Sequence, residues 1–227
     1  MAAQRRRPER TPVYVEAGTK KVFACALEWP GWCRAARTED GALEALVAAR
    51  PRYAVVAAQA GLTFPEAKVG FEIVARVSGS AMTDFGVPGE PAPSDARPMP
   101  SAETERCVAL VSAAWTAFDR VVSGAPAELR KGPRGGGRDR DAIVDHVLAA
   151  EAAYGRKLGV RVRQPARDDD DAVAAFRDAI LEGFRALSAA ASRPEKGWAP
   201  RYAARRITWH ILDHAWEIED RGIPAPS

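Results

Sequence analysis

The sequence predicts an α+β protein: a small α/β module of the strand-strand-helix kind, followed by an all-α four-helix bundle. Three observations lead there. Runs of β-type residues, Val13 to Val15, Val22 to Leu27 and Phe71 to Val77, fall only in the first part of the chain. Prolines 88, 91, 93, 98 and 100 then make a segment that suits neither a helix interior nor a central strand, and favours an extended, semi-rigid spacer. Beyond it, apolar residues recur at helical spacing. The expected organisation is a disordered arm over 1–12, the α/β module over 13–87, a proline-rich linker over 88–100, the bundle over 101–222 and a tail over 223–227.

Composition narrows the class. With 227 residues, 47% hydrophobic and 28% charged, the chain can bury a core without disulfides or metal staples. Its 33 basic residues nearly cancel 30 acidic ones, leaving +3, so no nucleic-acid partner is expected. No run approaches the ~18 apolar residues of a membrane helix, so no membrane partner is expected. Arg5-Arg-Arg7 has no apolar stretch behind it and does not read as a secretory signal. Cys25, Cys33 and Cys107 are odd in number and lack metal-finger spacing, which points to a reducing, cytoplasmic setting.

In the first module, Gly18-Thr-Lys20 separates two extended runs as a hairpin connection would. Trp29-Pro-Gly-Trp32 ends the second run, and Cys33 to Arg37 read as a third short strand. Thr38 is the expected N-cap of a helix that opens with Glu39 and Asp40 and shows Leu43, Leu46 and Val47 on one face. Pro51 breaks it before a second short helix through Ala60. Over roughly residues 13–50 this resembles the small HicB-like fold, whose members serve as antitoxin or interaction domains. The bare residue pattern reads as a packing or dimerisation module, so a homodimer is a permitted state.

Four helices are expected in the second part. The first spans about 102–122, with Val108, Val111, Trp115, Phe118 and Val122 on one stripe. The second spans about 138–158 and stops at Gly159. The third opens with Asp168 to Asp171 and carries Val173, Phe176, Ile180, Phe184 and Leu187. The fourth spans about 202–221. The connection from Gly124 to Gly137 suits a crossover, and its basic, glycine-rich stretch reads as a mobile linker, since it lacks the Lys-Ser/Thr ending of a phosphate-binding loop.

All three histidines lie in this part. His210 and His214 stand four apart, hence on one helix face, and His146 lies on another helix among Ala142, Ala149, Ala150 and Ala153. A one-turn pair plus a third imidazole from a facing helix can hold a divalent transition metal, nickel or zinc being expected for all-nitrogen ligation. The competing reading is a pair of core histidines bonded to Asp213 or Glu217. Helical rotation puts Arg206, Glu217 and Arg221 near the same face. Glu217 is a candidate catalytic base or partner of a histidine N–H, and Arg206 a candidate for holding an anionic substrate. Arg221 reads as a solvated helix edge, and Trp209 and Trp216 as core.

Asp145-His146-Val-Leu, with Trp209-His210-Ile-Leu-Asp-His214, resembles the DinB/YfiT superfamily of four-helix bundles over roughly residues 100–222. The resemblance implies His146, His210 and His214 as ligands of nickel, zinc or a similar ion. It implies a metal-dependent hydrolase, or a transferase using a low-molecular-weight thiol of the mycothiol or bacillithiol type, with a small-molecule substrate or thiol as partner. The added first module departs from the single-bundle pattern. The alternative is a non-catalytic interaction or regulatory protein that uses the HicB-like module as its partner surface.

Overall fold

The computed structural model describes residues 10–132, 135–190 and 197–222. Most of the expected arm, part of the glycine-rich loop and the expected tail lie outside the described residues. The fold is α+β, a four-stranded sheet followed by helices. The chain divides into two compact units, Met1–Pro93 and Ser94–Ser227.

Unit 1 is built on strands β1 (Thr11–Ala17), β2 (Val22–Ala26), β3 (Cys33–Ala36) and β4 (Phe71–Ser78), in the order β3-β2-β1-β4. β1 begins two residues before Val13, inside the segment expected to be a disordered arm. β1–β2 and β2–β3 are antiparallel, whereas β4 runs parallel to β1 with an irregularity opposite Val13 and Tyr14. A parallel pair needs a long crossover, and helices α1 (Glu39–Ala48) and α2 (Arg50–Gln59) supply it. Thr38 caps α1 by accepting the Gly41 N–H at 3.1 Å. The face of α1 turned to the core carries Ala42 and Leu46, while Val47 is 51% exposed. Residues 42, 46 and 49 form one helical row and 43 and 47 the next. Of the expected face of Leu43, Leu46 and Val47, Leu46 stays in the core and Leu43 is half-buried, while packing on β2 and β3 turns Val47 out and brings Ala42 in.

Val13 to Glu16 are all buried, so β1 is covered on both faces. The segment after β4 closes one of them. It holds a short helix α3 (Ala81–Phe85), which the sequence pattern did not announce; nor did it announce the 3-10 turn at Pro93–Ala96, where unit 2 begins. Glu16 accepts from the Thr83 hydroxyl at 2.5 Å and from the Gly89 and Glu90 N–H groups at 2.9 and 3.1 Å. Elsewhere in the unit Trp29, Trp32, Tyr53, Phe64 and Phe71 make an aromatic cluster. The Trp32 indole donates to the Leu46 carbonyl and the Tyr53 hydroxyl to the Pro30 carbonyl.

Unit 2 consists of four long helices: α4 (Ser101–Gly124), α5 (Arg140–Lys157), α6 (Asp170–Ala189) and α7 (Pro200–Gly222). α4 packs chiefly on α7 and α6, and α5 on α7, so the consecutive helices α4 and α5 are not each other's main neighbours. α5 ends where Gly159 adopts φ +85° and the Val160 N–H reaches back to the Gly155 carbonyl. α7 is central and is buried almost continuously from Tyr202 to Leu212. The proline-rich segment is not a bare spacer. Asp95 is buried in an ion pair with Arg205, Met99 is buried, and Arg201 donates to the Arg97 and Pro98 carbonyls while pairing with Glu103. The described parts of the glycine-rich loop also make contacts. The Arg130 N–H donates to the Arg221 carbonyl, Lys131 pairs with Asp139, and Gly132 and Gly136 share a backbone hydrogen bond. No described helix is long and apolar enough to cross a membrane.

Candidate metal centre

Helices α5 and α7 bring the three histidines together. One ligating atom from each of His146, His210 and His214 lies within 4.8 Å of the others, and the Nε2 atoms of His146 and His210 are 3.3 Å apart. Two nitrogens bound at ~2.0–2.1 Å to a tetrahedral ion stand about 3.3 Å apart. The three rings pack at centroid distances of 4.6–5.1 Å. The donor set therefore fits a divalent transition ion, with the His146–His210 pair already at that spacing.

Burial first, and neighbouring charge second, keeps the rings of His146 and His210 neutral. Burial, reinforced by His214, Arg206, His146 and Arg138, pushes the His210 pKa down to about 2, so its ring stays neutral with a lone pair to offer. His146 is also lowered, by burial first and then by His214 and Arg138, against Glu217. A metal ligand must be unprotonated, and this surrounding favours that form.

Glu217 is fully engaged. One oxygen contacts His214 Nδ1 at 2.8 Å and the other accepts from the Arg221 guanidinium at 2.5 Å. The His214 contact, ahead of Arg221, holds the carboxyl below its ordinary range despite some burial. A carboxylate on one ring nitrogen fixes the orientation of the imidazole, so Glu217 holds the His214 ring in place. Arg221 is not a solvated edge: its Nε donates to the Arg130 carbonyl at 2.8 Å, which ties the glycine-rich loop to the end of α7.

Arg206 lies one turn before His210, only 8% exposed, with its guanidinium over the rings of Tyr154 and Trp209 at 5.2 and 4.8 Å. Its Nη1 is buried without a hydrogen-bond partner, as is Nδ1 of His210. Sequence reasoning missed Tyr154, whose ring meets His210 edge-on at 5.5 Å, and Arg138, whose charge acts on both His146 and His210. Tyr154 lies eight positions after His146, two helical turns on, which was the available signal. Of the alanines around His146, Ala142 and Ala149 are exposed and Ala150 and Ala153 half-buried. Trp209 and Trp216 are buried, as core residues. No protein-family model, no curated protein and no solved structure matches this chain.

Proposed function

We propose that unit 2 is a DinB-like, divalent-metal-dependent enzyme in which His146, His210 and His214 hold one nickel or zinc ion, acting as a hydrolase or as a transferase that uses a low-molecular-weight thiol. The observation that carries the reading is the convergence of every histidine in the chain on one point, with ligating atoms within 4.8 Å. An ion bound by three neutral imidazoles supplies Lewis acidity at an open position, where the pKa of water or a thiol falls.

The surrounding residues define what that position accepts. Glu217 orients His214 and is paired with Arg221, which offsets part of the negative charge it brings to the site. Arg206 and Arg138 add positive charge beside His210. Arg206 has a buried donor without an acceptor, a costly state that an anionic ligand relieves. A thiolate and the oxyanion of a hydrolytic transition state both meet that requirement. Tyr154 and Trp209 hold the guanidinium in place through their ring faces.

The test is metal analysis of protein purified without a histidine tag, with melting curves before and after adding zinc or nickel. One equivalent of metal and a raised melting temperature are expected. His210→Ala should lose the metal and the shift while keeping its helical content. A full equivalent on His210→Ala would overturn the reading.

A further inference from the structure

The two cysteines of unit 1 are cross-strand neighbours. Cys25 on β2 is the register partner of Cys33 on β3. The next pair outward is joined by the Ala26 N–H donating to the Trp32 carbonyl at 3.0 Å. Antiparallel pairs alternate between hydrogen-bonded and non-hydrogen-bonded, so Cys25 and Cys33 occupy a non-hydrogen-bonded position. There the Cα atoms come within about 4.5 Å, at the short end of the span a disulfide bridges. The two Sγ atoms are 2.6 Å apart, closer than unbonded sulfurs rest against each other. Both side chains point to the sheet face that also carries Tyr14 and Glu16, since Tyr14 is the register partner of Cys25 on β1.

We propose that Cys25 and Cys33 are a modification site that takes up a cross-strand disulfide by exchange with the disulfide of a low-molecular-weight thiol. The thiolate of one cysteine attacks a sulfur of the reagent; its S–S bond breaks, and the leaving thiolate takes up the proton that the cysteine gave up. The other cysteine then attacks the protein sulfur of that mixed disulfide and expels the second thiol. Two protein thiols become one disulfide and one small disulfide becomes two small thiols, so electrons and protons balance. The reagent enters when β3 opens: β3 is a four-residue edge strand, paired on one side only. Burial, with Cys25 and Glu16 nearby, pushes the Cys33 thiol well up, which makes exchange in the closed sheet slow. The third cysteine, Cys107 on α4, is buried with its thiol pushed up to about 12 and has no cysteine partner.

The experiment equilibrates the full chain with oxidised glutathione, removes the reagent, unfolds the protein in denaturant with an alkylating agent, and maps the peptides by mass spectrometry. The expected result is alkylation at Cys107 alone and a Cys25–Cys33 linked peptide, with all three cysteines alkylated after reduction. Oxidised chain should melt at a higher temperature than reduced chain, a shift absent from Cys33→Ala. Cys107→Ser should form the linked peptide as the parent does. Alkylation of Cys25 and Cys33 after oxidation, or glutathione retained on either one, would overturn the proposal, even if unit 2 binds metal as proposed above.

Discussion

Each unit buries an arginine among aromatic rings, and the two are used differently. In unit 1, Arg50 lies over Trp32, Phe64 and Phe71, and its two terminal nitrogens donate to the carbonyls of Pro65, Glu66 and Val69 at 2.9–3.1 Å. It gathers the loop between α2 and β4 around itself. In unit 2, Arg206 lies over Tyr154 and Trp209 beside three histidines, with a buried donor unfilled. The same contrast holds for the carboxylates: Glu16 accepts three hydrogen bonds, while Glu151 accepts one from the Trp115 indole and keeps its other oxygen buried without a partner. Arg50 leaves only its inner Nε without a partner while both terminal nitrogens are used, whereas Arg206 leaves the terminal Nη1 open beside the histidines, where a ligand can reach it.

The largest effect expected from this comparison is at Arg50. Arg50→Ala removes three hydrogen bonds from a charged donor, worth about 1.5–3 kcal/mol each, and the packing over three rings, and should destabilise unit 1 by about 4–6 kcal/mol. Hydrogen exchange of the β2 and β3 amides in mild denaturant reads it. A loss under about 1 kcal/mol would show that the loop does not depend on Arg50.

A smaller loss is expected where the chain enters unit 2. A fragment over 94–227 keeps Asp95 against Arg205, whereas one over 98–227 leaves Arg205 buried without that carboxylate. Breaking a buried pair costs roughly 3–5 kcal/mol, so the shorter fragment should melt well below the longer one. Equal melting temperatures would make the Asp95 contact incidental.

Glu151 gives a pH signature. Burial raises its pKa from 4.5 to about 7, against the lowering effect of the Trp115 indole. Because the folded pKa is the higher one, the folded state binds more protons between those values. Relative stability is then full below pH 4.5 and falls as pH rises to about 7. Glu151→Gln removes that loss, with a gain of at most about 3 kcal/mol above pH 7 that fades toward pH 4.5. Urea titrations at pH 5 and pH 8 measure it. An equal effect at both would mean that the carboxyl does not titrate in this range.

Arg206→Met has the least effect on stability, about 1 kcal/mol, because the Met stem keeps the packing and removal of a buried charge offsets the lost contacts with Tyr154 and Trp209. Binding of inorganic phosphate to the zinc-loaded protein, followed by calorimetry, should weaken at least tenfold. Unchanged phosphate affinity would remove Arg206 from the site.

Much of the architecture was legible because it rests on local chemistry. The β-type runs, the Thr38 cap, the helical periodicity and the Gly159 stop depend on neighbours a few residues away, and each element formed within a few residues of its expected bounds. The histidine set was legible for a similar reason: a one-turn pair shares a face whatever surrounds it. Less was readable where short segments gain structure by docking. α3 is only five residues long and is fastened by Thr83 to Glu16, 67 positions away. The proline-rich segment reads as a spacer because proline removes local hydrogen bonding, yet Asp95 and Met99 anchor it through contacts that periodicity does not encode.

From sequence alone came the α+β class, the strands and the longer helices, and three histidines able to meet. Tertiary structure decided which row of α1 faces the sheet, that β4 pairs parallel to β1, that Cys25 faces Cys33, and that Tyr154 and Arg138 join the histidines. Those outcomes depend on register and on packing between residues far apart in the chain, where a one-residue slip turns a side chain to the opposite face. Local propensity does not distinguish the two faces; burial does.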